Sequence, residues 1–195
     1  MSDHGDVAHF RERAATYDRV YERPGAWQEQ LEIVGRALDA SRLRGACVEL
    51  AAGTGWWTPR YLDRVDAATL LDGAPEMLDI ARARLGDRAS YEVVDLFDWQ
   101  PTRTWDSAVS IFFVEHVPDD VLPRLFATVA STLPAGGVFF IAEATPADER
   151  VTPHATHENH HRSGTAYAAL LAAAGFACEV IDEDGVVAVT ATKRK

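Results

Sequence analysis

Hydrophobic residues in the first 45 positions of the chain recur at intervals of three and four, the spacing of one face of an α-helix. The first series consists of Phe10, Ala14, Tyr17, Val20 and Tyr21. The pair Pro24-Gly25 interrupts it, because proline and glycine disfavour a continuing helix. A second series follows, formed by Trp27, Leu31, Val34 and Leu38. We therefore predict two helical segments before residue 46.

From residue 46 onward, short apolar runs alternate with amphipathic stretches, which predicts strands alternating with helices. The predicted strands cover residues 46–51, 68–71, 90–94, 107–114 and 138–142. The predicted helices cover residues 57–65, 75–85 and 119–133. Such alternation implies parallel strands that are joined by right-handed helical crossovers.

The C-terminal part of the chain breaks this alternation. A predicted helix over residues 165–174 ends before Gly175 and is followed by predicted strands over 176–182 and 186–192. The short loop Glu183-Asp184-Gly185 between those strands indicates a β-hairpin. We expect an α/β fold with a doubly wound, mostly parallel seven-stranded sheet, in which one strand near the C-terminal edge is antiparallel.

The composition is that of a globular protein, with 47% hydrophobic and 25% charged residues in 195 positions. This length suits one domain with its own core, so we assign residues 1–195 to a single domain. The net charge of −11 disfavours nucleic acids and anionic membranes as partners, because an acidic surface repels phosphate groups. The oligomeric state stays open.

The N-terminus is polar, and no apolar run reaches the length of a membrane span. The two cysteines, Cys47 and Cys178, lie in apolar runs without metal-ligand spacing. Buried free thiols are typical of a reducing compartment. We therefore expect a cytoplasmic protein with neither a membrane partner nor a bound metal.

Two glycines, Gly53 and Gly55, follow the first predicted strand. Glycine lacks a Cβ atom, so the backbone can approach a ligand closely at these positions. Asp72 ends the next strand nineteen positions after Gly53, which in a doubly wound fold places a carboxylate beside a ribose. The alternative is a tight turn that binds nothing, but the strand context and the matching acid favour a nucleoside site.

Two tryptophans then distinguish between kinds of nucleoside. Trp56 and Trp57 precede Thr58, which occupies the place of the third glycine in a dinucleotide motif. That place requires a small residue, because the helix must approach the pyrophosphate closely. The bulky segment and the C-terminal hairpin both disfavour NAD.

Five segments in order resemble the class I S-adenosylmethionine (SAM)-dependent methyltransferases, over roughly residues 46–192. They are Glu49-Leu50-Ala51-Ala52-Gly53-Thr54-Gly55, Leu71-Asp72-Gly73-Ala74-Pro75-Glu76-Met77-Leu78, Val94-Asp95-Leu96, Trp105-Asp106-Ser107-Ala108-Val109-Ser110-Ile111-Phe112 and Leu133-Pro134-Ala135-Gly136-Gly137. The first segment departs from the family's acidic-x-Gly-x-Gly-x-Gly motif at Ala51. The resemblance implies SAM as the cofactor, with residues 1–45 forming a helical lid over a SAM-binding core of residues 46–195.

The resemblance also implies roles for individual residues. Asp72 would bind both ribose hydroxyls, and Met77 would lie beneath the adenine. Asp95 and Leu96 would hold the adenine edge, while Glu49 would orient the glycine loop or meet the methionine amino group. The full set of expected cofactor contacts is Tyr17, Glu49, Ala51, Gly53, Thr54, Gly55, Asp72, Gly73, Met77, Asp95, Leu96, Ile111 and Phe112.

Histidines supply the candidate proton acceptors. His116 follows the fourth strand at the edge where open α/β sheets bind ligands, and its pKa range suits proton removal near neutrality. His157 and His161 lie in the loop 153–162 and are candidates for the same role. Packing or surface positions are the alternative for all three. His154, His157 and His161 in this loop could also ligate a metal, but histidine-rich surface loops are commoner than metal sites, so we expect none.

These observations predict transfer of a methyl group from SAM to the oxygen or nitrogen of a small organic metabolite. The sulfonium already activates the methyl group, so the protein mainly has to align the acceptor. An oxygen acceptor would also need a general base. Two alternatives stay open. One is a SAM-binding protein of the same fold that catalyses another reaction or acts as a partner subunit, and the other is an NAD(P)-dependent Rossmann oxidoreductase.

Overall fold

The computed structural model describes residues 5–145 and 159–195. The N-terminal segment begins with α1 (Gly5–Arg13), which continues as a 3₁₀ helix over Ala14–Val20. After the Pro24-Gly25 break, α2 covers Ala26–Ala40. The two helical segments predicted from the hydrophobic spacing are therefore confirmed, although half of the first is wound more tightly than an α-helix.

Seven strands form one sheet with the order β3-β2-β1-β4-β5-β7-β6. The strands are β1 (Ala46–Leu50), β2 (Ala67–Asp72), β3 (Ala89–Val93), β4 (Ser107–Ile111), β5 (Val138–Ala144), β6 (Phe176–Glu183) and β7 (Val186–Lys193). The first five strands are parallel to one another, whereas β7 is antiparallel to both β5 and β6. This is the doubly wound, mostly parallel sheet with a C-terminal antiparallel hairpin that the sequence predicts.

Helices cover both faces of the sheet. They are α3 (Pro75–Leu85), α4 (Leu122–Thr132) and α5 (Gly164–Ala173), together with α2. The side chains of β5 alternate between the two layers: Phe140 packs in the cluster that includes α2, and Phe139 packs in the cluster that includes α4 and α5. The sheet therefore lies between two apolar layers, and its carboxyl edge is left as the place where loops can form a site.

The predicted helix over residues 57–65 is wrong. The structure has two separate 3₁₀ turns there, Thr58–Arg60 and Leu62–Arg64, with Tyr61 between them at φ −120°. Pro59 lies in the first turn of the predicted helix, where proline is tolerated, so tertiary contacts account for the difference. The hydroxyls of Thr58 and Tyr61 both donate to the buried Glu49, and the backbone there makes 3₁₀-type hydrogen bonds from the Arg60 N–H to Trp57 and from the Arg64 N–H to Tyr61. The glycine loop therefore leads into a tight, buried corner and not into a helix.

Two neighbouring predictions are too long. The fourth strand ends at Ile111, short of the predicted residue 114, because Phe112 takes a positive φ of 54°. Residues Val114–His116 form a 3₁₀ turn, and α4 begins at Leu122. The chain thus leaves the sheet edge early, and this places His116 in a turn above the edge.

Within the part of the chain that the structure describes, no helix has the length and hydropathy needed to cross a bilayer.

Candidate functional site

A cavity opens at the carboxyl ends of β1, β2 and β4, where the strand order reverses. Its volume, including the open mouth, is about 880 Å³. This is within the range of pockets that hold small ligands. We call it the main cavity, and its walls are Val7, Phe10, Tyr17, Tyr21, Glu49, Ala51, Ala52, Gly53, Thr54, Trp56, Trp57, Asp72, Gly73, Ala74, Met77, Val94, Asp95, Leu96, Phe97, Ile111, Phe112, Phe113 and His116.

The glycine loop forms one wall of the main cavity with strained backbone. Gly53 has a positive φ of 55°, and a Cβ atom built on it would meet no other atom within 4 Å. That open space faces the cavity, so a ligand can approach the backbone there. Ala51 also has a positive φ, of 50°, which costs a non-glycine residue conformational energy. Strain of this kind is concentrated at ligand sites.

Asp72 holds this wall together from the end of β2. Its Oδ2 accepts the Gly53 N–H at 2.8 Å and its Oδ1 accepts the Ala74 N–H at 2.8 Å. Burial raises the pKa of Asp72 to about 6, although hydrogen bonds from the Ala74, Gly53 and Gly73 backbone oppose the shift. The carboxylate lines the cavity, and each of its oxygens has a second lone pair that can accept a hydroxyl.

Glu49 lies at the opposite side of the glycine loop and is buried. Its Oε2 accepts hydrogen bonds from Thr58 Oγ1 at 2.6 Å and from Tyr61 Oη at 2.7 Å. Burial raises the pKa of Glu49 to about 7, against the effect of these two hydrogen bonds. Glu49 therefore secures the corner that follows the glycine loop, and a cationic group in the cavity would stabilise its charged form.

Gly55 is the one predicted cofactor contact that the structure does not bring to the main cavity. A Cβ atom built on it would lie 3.2 Å from both Ala81 Cβ and Leu85 Cδ1 on α3. Its lack of a side chain allows α3 to pack closely under the loop. Gly55 therefore has a packing role, and its contact with the methionine part stays a prediction.

The N-terminal segment closes over the main cavity. A Cβ atom built on Gly73 would lie 3.1 Å from Val7 Cγ2, so α1 rests directly on this glycine. Asp18 accepts a hydrogen bond from Thr54 Oγ1 at 2.5 Å and forms an ion pair with Arg84. Arg84 also donates to the Thr54 carbonyl oxygen at 2.7 Å. The segment is thus tied to the glycine loop and to α3 at the same point.

The two tryptophans after the glycine loop occupy different environments. Trp56 stacks on Tyr21 with ring centroids 4.8 Å apart and an interplanar angle of 14°. Trp57 is 7% exposed and packs edge-on to Tyr21 and against Phe112. Trp56 therefore joins the glycine loop to the N-terminal segment, and Trp57 belongs to the core while still lining the main cavity.

The far end of the main cavity is formed by the ends of β2 and β3. Met77 is 1% exposed on α3, and Leu96 is also buried. Asp95 Oδ1 accepts the Phe97 N–H at 3.0 Å, which leaves its other oxygen available to a ligand donor. The structure thus brings twelve of the thirteen predicted cofactor residues to one cavity.

A second space, which we call the side chamber, adjoins the main cavity. Its volume with its mouth is about 470 Å³. Tyr17, Tyr21, Phe112 and His116 line both spaces. The remaining walls of the side chamber are Val20, Trp27, Glu115, Ala144, Asn159 and His161. The structure therefore places two of the three predicted histidines beside the cofactor residues, and His157 lies outside the described residues.

Glu115 links the two histidines. Its Oε1 lies 3.7 Å from His116 Nε2, and its Oε2 lies 3.5 Å from His161 Nδ1. The hydrogen bond with Glu115 raises the pKa of His161, while burial acts against this shift. Phe10 packs edge-on to the ring of His116, with centroids 5.7 Å apart. The charged form of His161 is therefore stabilised by a neighbouring carboxylate.

Glu143 holds the turn that carries Glu115. It is fully buried at the end of β5, and its carboxylate accepts the N–H groups of Phe113 at 3.1 Å, Val114 at 2.9 Å and Glu115 at 3.3 Å. Burial, with Glu115 nearby, raises the pKa of Glu143 well above its usual range. The two acids thus differ in environment, and only Glu115 lines the side chamber.

Arg162 fixes His161 from the other side. Its guanidinium donates to the carbonyl oxygens of Val114 at 3.0 Å and Val117 at 2.7 Å, and it pairs with Asp119. The His160 N–H donates to the Glu115 carbonyl oxygen at 2.6 Å. The segment after residue 158 is therefore bound firmly to the turn above β4.

Sequence reasoning missed several parts of this site. Glu143 was detectable, because it is a lone acid within the apolar run of β5. Glu115 stands directly beside the predicted His116. The pairing of Asp18 with Arg84 joins residues 66 positions apart, and no local pattern indicates it.

Comparisons with known proteins agree with this geometry. A family described as "Methyltransferase domain" matches residues 11–180. DhpI in complex with S-adenosylhomocysteine (SAH) superposes with a TM-score of 0.83 and 29% identity, over 96% of this chain and 95% of that chain. The structure of DhpI with SAM and HEP superposes with a TM-score of 0.82 and 28% identity, over 98% of this chain and 99% of that chain.

More distant structures show the same fold. The N-methyltransferase NodS from Bradyrhizobium japonicum WM9, in complex with SAH, has a TM-score of 0.77 at 14% identity, over 97% of this chain and 98% of that chain. No curated protein sequence matches the chain. Since the family match covers most of the sequence and the fold is that of structures solved with SAM and SAH, the chain belongs to the methyltransferase-domain family and is a SAM-dependent methyltransferase.

Proposed function

We propose that this enzyme methylates an oxygen or nitrogen atom of a small organic metabolite. The observation that carries the proposal is the side chamber, which adjoins the cofactor residues through Tyr17, Phe112 and His116. The described walls of this chamber come from the chain's own helices, strands and turns. A space of this size suits a small acceptor better than a macromolecular surface.

In this proposal the main cavity holds SAM. Asp72 accepts hydrogen bonds from the ribose hydroxyls, and Asp95 with Leu96 holds the adenine edge above Met77. The methionine part lies along Ala51, Gly53 and Thr54, with its ammonium near Glu49. The fit is supported by the open space at Gly53, the free lone pairs of Asp72 and the buried acid Glu49.

SAM supplies a methyl group that its sulfonium has already activated. The protein's task is then to bind the acceptor in line with the methyl group and to exclude water. Ile111 and Phe112 leave β4 toward the junction of the two spaces, and the positive φ of Phe112 turns its ring into both. His116 and His161 are placed to receive a proton from the acceptor.

The N-terminal residues 1–45 form the lid in this proposal. Support comes from the contact of α1 with Gly73, the stacking of Tyr21 on Trp56 and the bonds of Asp18. These contacts cover the main cavity, so SAM exchange requires the segment to move. We also propose that the protein acts in the cytoplasm on a free metabolite, without a nucleic acid or membrane partner, which fits its net charge of −11.

DhpI, which is 28% identical to this chain, was solved in a complex with SAM and HEP, and this supports room for a second ligand beside SAM. The test is transfer of label from methyl-labelled SAM to a metabolite extract, followed by separation by size. We expect label in molecules below protein and nucleic acid size, and SAH formed in equal amount. Label found only in macromolecules would contradict the proposal. Tight SAM binding without any transfer would favour a partner-subunit role.

A further inference from the structure

The described walls of the side chamber contain a carboxylate but no permanent cation. Glu115 is their one carboxylate, and no lysine or arginine is among these walls. The guanidinium of Arg162, next to His161 in the chain, is turned toward Val114, Val117 and Asp119 instead. Among these described walls, an anionic acceptor would therefore meet Glu115 without an arginine or lysine partner.

Four aromatic side chains are among the other described walls, Tyr17, Tyr21, Trp27 and Phe112. The rings of Trp27 and Phe112 lie 5.3 Å apart, and those of Tyr17 and Tyr21 lie 6.0 Å apart. Burial raises the pKa of Tyr17 to about 12, so its phenol is neutral and its ring keeps a negative face. Aromatic walls beside a carboxylate are the surroundings that attract ammonium groups.

Unsatisfied acceptors face the same space. Asn159 Oδ1 is buried and has no hydrogen-bond partner within the ranges 5–145 and 159–195, and the same holds for His161 Nε2. Buried polar atoms of this kind call for a ligand or water. Together with Glu115 they offer hydrogen-bond acceptors to a group that carries several N–H donors.

Resting on the proposed function, we propose that the methyl acceptor is a primary or secondary amine, which enters the side chamber as an ammonium ion paired with Glu115. The aromatic walls hold its carbon skeleton, and Asn159 accepts one of its N–H groups. The positive charge distinguishes an amine from an alcohol acceptor. An alcohol gains only one hydrogen bond from the carboxylate and no cation–π attraction from the aromatic walls.

The reaction requires the ammonium to lose a proton first. His161 takes this proton at Nε2 while its Nδ1 faces Glu115. The proton stays on the His161–Glu115 pair and is released to solvent when the product leaves the side chamber. The nitrogen lone pair then forms the N–CH₃ bond as the S–CH₃ bond breaks. The bonding electrons of the latter go to sulfur, which becomes a neutral thioether. The product nitrogen carries the positive charge and leaves as a methylated ammonium or, after losing a proton, as an amine.

Matched probes test the substrate class. Benzylamine, benzyl alcohol and benzoate share one skeleton, and butylamine, butanol and butyrate provide an aliphatic set. Binding to the protein saturated with SAH is measured by calorimetry, and methyl transfer is measured with labelled SAM. We expect each amine to bind at least about 10-fold more tightly than its alcohol or acid, and to be the labelled member.

Different results would contradict the amine inference and the proposed function. An alcohol or acid that binds as tightly as its amine, or is labelled in preference to it, overturns the amine inference and leaves the proposed function standing. Absence of label in every member, with SAM bound, counts against the proposed function as well.

Glu115→Gln tests the charge with little change of shape. We expect it to weaken benzylammonium binding about 10-fold or more while SAH binding is retained, since the carboxylate does not line the main cavity. Glu32→Gln is the matched control, because it removes the same charge from an exposed site on α2. Equal benzylammonium affinity in the two variants would overturn the inference. Benzyl alcohol should bind both variants alike.

Discussion

Asp18 in the N-terminal segment forms an ion pair with Arg84 on α3, and the same carboxylate accepts the hydroxyl of Thr54 in the glycine loop. Both charged side chains are about three-quarters buried, with exposures of 27% and 26%. One interaction therefore connects the segment that covers the main cavity with the loop that forms its wall. Its loss should loosen both at once.

Replacing Asp18 with Asn is expected to weaken SAH binding about 5-fold. A charge-assisted hydrogen bond of roughly 1 kcal/mol then no longer holds the N-terminal segment over the main cavity. Titration calorimetry measures this change. Asp79→Asn is the control, since Asp79 pairs with Arg82 on the exposed side of α3, the helix that also carries Arg84. If both variants bind SAH like the parent protein, the N-terminal segment contributes nothing to retention of the cofactor.

Asp72→Ala is expected to weaken SAH binding roughly 100-fold or more, because two hydroxyl hydrogen bonds to a buried carboxylate are lost. The Gly53 and Ala74 N–H groups also lose their acceptor, so the loop loosens. Asp66→Asn, at an exposed position before β2, provides the control for charge. Thermal unfolding without ligand separates loss of binding from loss of fold. Unchanged SAH affinity in a folded Asp72→Ala protein would refute the ribose contact.

The stability of the ligand-free protein should fall as the pH rises from about 4.5 to 7.5. Burial raises the pKa of Glu49 to about 7 and that of Asp72 to about 6. In this window the folded chain retains protons that the unfolded chain has already lost, so the unfolding free energy decreases with pH. Glu49 alone accounts for a decrease on the order of 3 kcal/mol.

Glu49→Gln isolates this contribution, because an amide keeps the oxygen that accepts from Thr58 and Tyr61 but does not titrate. Urea unfolding at pH 5 and pH 7.5 should show a smaller pH-dependent loss in the variant than in the parent. Identical slopes for the two proteins would show that Glu49 titrates normally in the folded state. His161, whose pKa is also raised, contributes in the same direction in both proteins, so the difference between them reports Glu49.

Ala51 stands where the family motif has glycine, and its backbone is strained, so substitutions at this position test the strain. Ala51→Gly should leave stability within about 1 kcal/mol, since relief of the positive φ is offset by greater freedom of the unfolded chain. SAH binding should be retained. Ala51→Val should destabilise the fold by at least about 1 kcal/mol and weaken SAH binding, because a β-branched side chain tolerates this φ poorly. Equal behaviour of both variants in urea unfolding and calorimetry would rule out strain at this position.

The order of strands and helices was predictable because it depends on local spacing. The helix α3 has the predicted bounds, since Pro75 starts it and Gly86 follows it. The hairpin follows from the Asp-Gly loop, and Asp184 and Gly185 indeed take positive φ angles. Local chemistry determined these features, and one sequence was enough to predict them.

The failures have a different physical origin. The helix over residues 57–65 had suitable apolar spacing, but the hydrogen bonds of Thr58 and Tyr61 with Glu49 hold two 3₁₀ turns there, and spacing does not encode such tertiary contacts. Gly55 shows a second limit of sequence patterns. A glycine can allow close packing of a helix or close approach of a ligand, and the sequence does not distinguish the two. The links among Glu115, Glu143 and His161 depend on tertiary contacts between separate elements, and periodicity does not encode them.

A crystal structure of the protein with SAH bound tests the central claim most directly, which is that the main cavity presents a methyl group to the side chamber. We predict ribose hydroxyls within hydrogen-bond distance of Asp72, and the SAH sulfur at the junction formed by Tyr17, Phe112 and His116. The space beyond the sulfur should lead to Glu115 and His161. SAH bound elsewhere, or with its sulfur turned away from the side chamber, would contradict the account.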